Sequence, residues 1–481
     1  MWGLFTAGQI RDAEAELIAR TPPGALMRRA AFGLAVHARR MLGLRAPGRH
    51  VVLLVGAGHN GGDALWAGYE LRRRGVGVTA VLLVPDRAHA EGLAALRRVG
   101  GRVLTDGADA RAAVTGADLV VDGIVGISGR GGLRPAAAQL VAVAAQARVP
   151  VLAVDLPSGV ETDTGAVDGP AVAASETSTF GAHKPVHALA APRCGPVRLV
   201  DFGLGPHLPQ PHAVVLDGAD VAARWPVPGP ADDKYSQGVV GIAAGSATYP
   251  GAAVLATGGA VLATSGMVRF AGTAAAGVRA AYPEVVATDG IADAGRVQAW
   301  TAGPGIGTDE EGRAVLVAAL ERDVPLCLDA DAITLLAGDA GLRAAVRGRP
   351  VVLTPHAGEF ARIAGEVGPD RIGAARRAAA DLGVTVLLKG NATVVADPDG
   401  RAGVHPATTS WAATAGSGDV LSGILGALLA AGLEPWWAAM CAAHVHASAA
   451  ERAAAGAPAP ASALRDAVTA TIRDLRAGLS S

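Results

Sequence analysis

The sequence predicts an α/β protein of two domains, each a mostly parallel sheet covered by helices on both faces. Three observations predict it. A chain of 481 residues with 51% hydrophobic content has more material than one core uses. Short β-branched or Leu-rich runs alternate with Ala/Arg-rich helical stretches in both halves. Several of these runs end on Gly, Asp or Ser, which puts polar groups at the carboxyl ends of parallel strands, where open α/β sheets build their sites.

In chain order, the first-half strands are HVVLLVGAG from His50, VGVTAVLLVPD from Val76, ADLVVDGIVG from Ala117 and VPVLAVDLPSG from Val149. Proline-rich segments between Pro206 and Asp233 frame a short strand-like HAVVLDGADV and place the domain junction at 221/222. The second half resumes the alternation with GVVGIAAG, VQAWTAGPG, VPLCLDADA, RPVVLTPHAGE and VTVLLKGNATVVAD, then a long apolar helix from about Asp419. The Ala-rich tail after Glu451 reads as terminal helix. No charge occurs between Lys234 and Arg269, a span long enough to cross a bilayer. Gly245, Ser246, Thr248, Pro250 and Gly251 interrupt it, so strand, loop and helix of a buried core are expected instead.

Composition excludes several function classes. A net charge of -1 gives no basic field for nucleic acid or an anionic membrane, so small-molecule partners are expected. Cys194, Cys327 and Cys441 are too few and too scattered for a disulfide framework or a metal cluster. The N-terminus lacks a basic segment followed by an apolar run, and a cytoplasmic protein is expected. Of 42 basic residues only Lys184, Lys234 and Lys389 are lysine, and Asn60 and Asn391 are the only asparagines. All five fall inside motifs. Arginine replaces lysine freely on a wet surface but not where a compact ammonium is required, which marks these lysines as site candidates.

In GAGHNGGDA, Gly56, Gly58 and Gly61 satisfy a dinucleotide fingerprint that is weak by itself. Asp63 would repel a pyrophosphate, so the loop fits amide donors working with a cation or a hydroxyl; a plain nucleotide loop is the alternative. Asp122, and Asp155 with Ser158, end two further strands. Three such ends offer oxygen ligands to a hard monovalent cation and leave one carboxylate for proton transfer. In TAGSGDVLSGIL, a Gly/Ser turn opens an apolar helix with Asp419 in its first turn. Free amides and the helix dipole suit a phosphate, and Asp419 stands where a base would deprotonate an attacking hydroxyl.

GAGHNGGD, VDGIVG, DLPSG and TFGAHKP together resemble the NAD(P)HX epimerase domain. That resemblance implies a Rossmann-like αβα sandwich over residues 1–221. Substrate contacts are implied at His59, Asn60, Gly61, Gly62 and Asp63, at Gly126, Ile127, Ser128, Gly129, Arg130, Gly131 and Gly132, and at Asp155, a catalytic candidate. Potassium ligands are implied at Asn60, Asp122 and Ser158. His59 and Ala64 depart from the family's NNGGDG. KYSQGVVGIAAGSATYPGAAVLA, AGPGIG, LDADAI, TPHAGEF, KGNATVV and the GSGD turn together resemble the ADP-dependent NAD(P)HX dehydratase of the ribokinase-like superfamily. A ribokinase-like αβα sandwich over 222–481 is thereby implied. Its dinucleotide contacts would be Ala253, Gly305, His356 and Asp419, with Asp419 catalytic. ADP or ATP, with Mg2+, would lie along Lys389, Gly390, Asn391, Ala392 and Thr393 and against Gly418. The partners implied are NADHX or NADPHX and the adenine nucleotide, with further copies of the chain in a homo-oligomer and neither nucleic acid nor membrane. The competing expectation is a ribokinase-like kinase for a vitamin precursor or sugar, fused to a non-catalytic ligand-binding module.

Overall fold

The computed structural model describes residues 1–105, 107–264, 266–406 and 409–478. It divides into two compact units, Gly3–His212 and a second made of Met1–Trp2 with Ala213 onward. After the short strand β1 (Trp2–Leu4), the first unit carries β2 (His50–Val55), β3 (Gly77–Leu82), β4 (Arg102–Thr105), β5 (Leu119–Gly123), β6 (Val151–Val154), β7 (Glu176–Phe180) and β8 (Val197–Val200). They form one parallel sheet in the order β4-β3-β2-β5-β6-β7-β8. Along β2, Val51, Leu53 and Val55 enter one hydrophobic cluster, and Val52 and Leu54 enter another. Alternation therefore serves two cores, which is why the strand reads as a continuous apolar run. Strand order reverses at the β2/β5 pair, and the crevice at such a reversal is where ligands bind.

The second unit carries β9 (Ala213–Val215), β10 (Val239–Ala243), β11 (Met267–Ala271), β12 (Val286–Thr288), β13 (Ala299–Ala302), β14 (Leu326–Leu328), β15 (Val351–Leu353), β16 (Thr385–Leu388), β17 (Ala392–Ala396) and β18 (Ala402–Pro406). The sheet order is β1-β9-β18-β17-β16-β15-β14-β13-β10-β11-β12. It is parallel from β16 to β12, and its order reverses at β10/β13. β9 pairs with β18 through Val214 and Gly403, which commits the segment from Ala213 to this unit. The junction thus precedes the expected 221/222. The VTVLLKGNATVVAD run turns at Lys389–Asn391 and forms an antiparallel hairpin of β16 and β17.

The uncharged span resolves into β10, a loop, the helix Pro250–Ala263 and the start of β11, and among the described residues no helix is long and apolar enough to cross a membrane. The helix Ser417–Ala430 is buried without interruption from Val420 to Ala430, as an all-apolar helix must be. Glycine lets it lie directly on Pro250–Ala263: a Cβ at Gly423 would sit 2.0 Å from the Ala256 carbonyl oxygen. This contact fixes where its N-terminal turn emerges at the strands' carboxyl ends.

Candidate active sites

The crevice at β2/β5 opens into a cavity of about 940 Å³. His59, Asn60, Asp63 and Asp155 line it, as does the whole turn from Gly126 to Gly132. Gly61 and Gly62, expected at the substrate, are packed behind this wall in the first turn of the helix His59–Arg72. A Cβ on Gly61 would meet the Gly56 carbonyl at 2.4 Å, so this glycine serves close packing.

Asp155 is held in the left-handed region, φ 70°, where a non-glycine residue is strained; such strain persists where surrounding contacts enforce it. The contacts are visible. Its Oδ1 accepts from Thr179 Oγ1 at 3.0 Å and from the fully buried Lys184 ammonium, which also donates to Thr179 Oγ1 at 2.9 Å and to the Phe180 carbonyl at 3.2 Å. His187 Nδ1 accepts the Lys184 amide at 3.0 Å. Its Nε2 therefore carries the proton and donates to the Asp155 carbonyl at 2.9 Å. Burial, reinforced by the Lys184 charge, holds His187 well below its ordinary range, so it is neutral.

Burial pushes Asp63 well above the usual carboxylate range, and repulsion from Asp155 and Glu14 adds to it. Behind the Gly126 turn, Asp122 is fully buried. It accepts the Ser158 amide at 2.8 Å, the Ser158 hydroxyl at 2.7 Å and the Ile124 amide at 3.2 Å. Burial outweighs these bonds and raises it to about 6. Asn60 stands beside Gly126, and among the described residues its buried Nδ2 has no hydrogen-bond partner.

In the second unit a cavity of about 810 Å³ is lined by His356, Lys389, Gly390, Asn391, Thr393, Gly418 and Asp419. Ala253, Gly305 and Ala392 are not on this wall. Ala253 is fully buried under Gly245, and Gly305 packs against Tyr249 and Ala252 at the β10/β13 reversal. Ala392 is buried at the start of β17.

Lys389 Nζ donates to Asp329 Oδ1 at 2.7 Å and lies 3.7 Å from Glu359 Oε2. Burial opposes its charge, but Asp329 and Glu359 carry it above its ordinary value. Asp419 caps nothing. Burial, with repulsion from Asp329 against attraction from Lys389, raises it to about 7. Gly416, at φ 85°, turns the chain into the helix, and a Cβ on Gly418 would stand 3.3 Å from Lys389 Nζ, so the bare backbone lets these amides lie close to the ammonium. His356 Nδ1 accepts the Gly358 and Glu359 amides at 3.0 and 3.2 Å, and the Glu359 carboxylate accepts the His356 amide at 2.9 Å. His356 is thus a reciprocal helix cap with its ring on the cavity wall.

Comparison with known proteins fits this geometry. The family model described as NAD(P)H-hydrate dehydratase matches residues 240–472, and the one described as YjeF-related protein N-terminus matches residues 23–186. The bifunctional NAD(P)H-hydrate repair enzyme Nnr of Mycobacterium tuberculosis (strain CDC 1551 / Oshkosh) is 58% identical over 433 residues, 89% of each chain. The chain belongs to the bifunctional NAD(P)H-hydrate repair enzymes. The relative of the same name from Mycobacterium leprae (strain TN) is 56% identical over 455 residues, 94% of each chain. A ribokinase-like superfamily protein from Enterococcus faecalis V583 aligns with 55% of this chain and 96% of its own at a TM-score of 0.50 and 22% identity, which shows the fold alone.

Sequence reasoning missed four groups of this NAD(P)H-hydrate repair enzyme. Asp329 was visible only as part of LDADAI, and Glu359 only as part of TPHAGEF. His446, whose Nε2 donates to the Ser417 carbonyl at 2.9 Å, comes from the distant helix Pro435–Ala454 and gave no signal. Glu14 sits in a helix that precedes every quoted motif and the matched residues 23–186.

Proposed function

We propose that the first unit interconverts the R and S epimers of NAD(P)HX and that the second dehydrates the S epimer to NAD(P)H, using ADP or ATP and releasing AMP or ADP with phosphate. The observation that carries this reading is the position of Asp419. It lies in the first turn of a buried helix, beside glycine amides and across from Lys389. Hydration leaves a ring hydroxyl, a poor leaving group. Asp419 takes the proton of that hydroxyl as its oxygen attacks the terminal phosphate, and the turn amides with Lys389 hold the charge that develops. Loss of phosphate then restores the ring double bond. Asp329 orients Lys389. The carboxylates of Asp329 and Glu359 are oxygen donors of the class that holds Mg2+, which when bound neutralises nucleotide phosphate charge.

In the first unit, Arg130 and Arg134 line the cavity and suit the diphosphate of a dinucleotide. The strained Asp155, ion-paired with Lys184, is the substrate-facing carboxylate. Asn60, Asp122 and Ser158 suit K+: a fully buried carboxylate with no ion pair among the described residues, a hydroxyl and a carboxamide without a partner for its amide nitrogen. Asn60, Asp122 and Ser158 would hold the cation, whose positive charge would compensate Asp122.

The test supplies purified protein with mixed-epimer NADHX, Mg2+, K+ and ADP or ATP and follows the return of reduced-nicotinamide absorbance. Full recovery is expected. Recovery that stalls at one epimer removes the epimerase from this reading, and no recovery with either nucleotide transfers the second unit to the kinase alternative.

A further inference from the structure

The N-terminal helix Ala7–Ile18 begins with a reciprocal cap. Thr6 Oγ1 accepts the Gln9 amide at 3.2 Å, and Gln9 Oε1 accepts the Thr6 amide at 2.9 Å. Asp163 Oδ1 accepts the Ala7 amide at 2.7 Å, which ties the helix start to the segment beyond β6. Ile10 and Ala13 are buried, and Glu14, one turn past Ile10, shares their inward face. That face brings the Glu14 side chain to the first cavity, partly buried.

Among the described residues, no hydrogen bond or ion pair holds the Glu14 carboxyl, and none holds the carboxyl of Asp63, which is 8% exposed on the same cavity wall. A buried carboxyl without a partner either keeps its proton or meets a ligand. Glu14 is raised by burial like Asp63, with Lys184 and His59 pulling it down and Asp155 pushing it up. Arg11, on Glu14's own helix, also faces the cavity. Asp155 differs from both carboxyls because Lys184 neutralises it.

We propose that Glu14 is a proton-carrying carboxyl of the first site, acting as a pair with Asp63 on the oxygen of the hydroxylated ring carbon. This rests on the epimerase reading. One member of the pair protonates the hydroxyl; the C–O bond breaks, its electron pair leaves with water, and the ring-nitrogen lone pair forms a C=N+ bond. Water then adds to the opposite face of the same carbon, the π pair returns to nitrogen, and the other member takes the released proton. One carboxyl has lost a proton and the other has gained one, and exchange of that proton with water in the open cavity restores the pair before the next turnover. No oxidant, reductant or further reactant is consumed.

The test uses the full chain and reads both activities separately: interconversion of isolated NADHX epimers, and dehydration of the S epimer with Mg2+ and ADP. Glu14→Gln is expected to lower the interconversion kcat about 10²–10⁴-fold, the usual worth of a positioned acid or base, with KM little changed. Dehydration by the same sample is expected to be unchanged, which reports an intact chain. Formate is expected to restore part of the interconversion to Glu14→Ala, an effect a purely structural role does not produce. Interconversion by Glu14→Gln within threefold of wild type, or failure of formate to restore any, overturns the proposal and leaves the epimerase reading standing. A wild-type chain that does not interconvert the epimers overturns both.

Discussion

Asp419→Asn is expected to abolish dehydration and at the same time stabilise the second unit. The same burial that moves Asp419 toward neutrality makes its charge costly. Its folded-state value, raised from 3.8 to about 7, favours the protonated form. Below about pH 4 the carboxyl is neutral in both folded and unfolded chains, and the substitution changes little. From about pH 4 to about pH 7 the unfolded chain ionises freely while the folded carboxyl holds its proton, so wild-type stability is lost progressively across that window and the loss is complete above about pH 7. At about 1.36 kcal/mol per tenfold, the full penalty is roughly 4 kcal/mol, and partial solvent access reduces it to on the order of 2–4 kcal/mol. Thermal unfolding of the ligand-free protein should therefore show the Asn variant melting at higher temperature at pH 8 and converging with wild type toward pH 4. In the activity assay, dehydration by wild type should fall roughly tenfold between pH 8 and pH 6, as the ionised fraction drops from about nine-tenths to about one-tenth. The Asn variant should lose about 10²–10⁴-fold at every pH while still binding nucleotide. A pH-independent rate, or an Asn variant no more stable at pH 8 than wild type, refutes the assignment of Asp419 as the base.

Three further outcomes are expected. Lys184→Met leaves Asp155 buried without its cation and should cost about 3–5 kcal/mol in the first unit with loss of epimerisation, while the dehydratase rate is retained; urea unfolding and the two rates measured on one sample check this. Asp122→Asn should remove the response of epimerisation to K+, and a variant that still responds to K+ in place of Li+ takes Asp122 out of the cation site. Ala330 lies at φ 51° between Asp329, which holds Lys389, and Asp331, which accepts the Gly307 amide at 2.9 Å. Ala330→Gly should relieve strain of about 1–3 kcal/mol, against which glycine's greater unfolded-state freedom sets roughly 0.4–1 kcal/mol, so its melting temperature should not fall.

What the sequence made legible follows from the range over which each signal acts. Strand runs, the GSGD turn and the glycine-rich loop are local, and β2, the helix Ser417–Ala430 and the cavity wall from Gly126 to Gly132 lie where those patterns placed them. Lys184 and Lys389 were legible as survivors in an Arg-rich chain, and both prove to be ammonium groups paired with a carboxylate, Lys184 fully buried and Lys389 partly so. Pairing itself was not legible. Nothing in LDADAI states that Asp329 faces a lysine sixty residues on, because parallel strands bring distant carboxyl ends together through register rather than spacing. The Lys389–Asn391 hairpin was missed because β-branched residues on both sides conceal a Gly-Asn turn within one run. Glu14 was missed because an acidic residue in a polar helix is ordinary until tertiary packing turns it inward.

The two units solve one problem in the same way. Each places a glycine-bearing turn on its cavity wall and sets a carboxyl against a lysine: Asp155 with Lys184, and Asp329 with Lys389. The pairings divide the labour differently. In the first unit the paired carboxylate is itself the strained residue on the cavity wall, and Asp63, with no ion pair among the described residues, is pushed well above the usual carboxylate range by burial. In the second, the pair stands beside Asp419. Lys389 attracts and Asp329 repels the Asp419 charge, so burial decides where Asp419 titrates. A site for reversible proton exchange gains from carboxyls that hold protons near neutrality, whereas phosphoryl transfer needs one base that releases its proton above about pH 7 and a cation that does not titrate. The lysine–carboxylate pair is constant between the units; what differs is which carboxyl is left outside it.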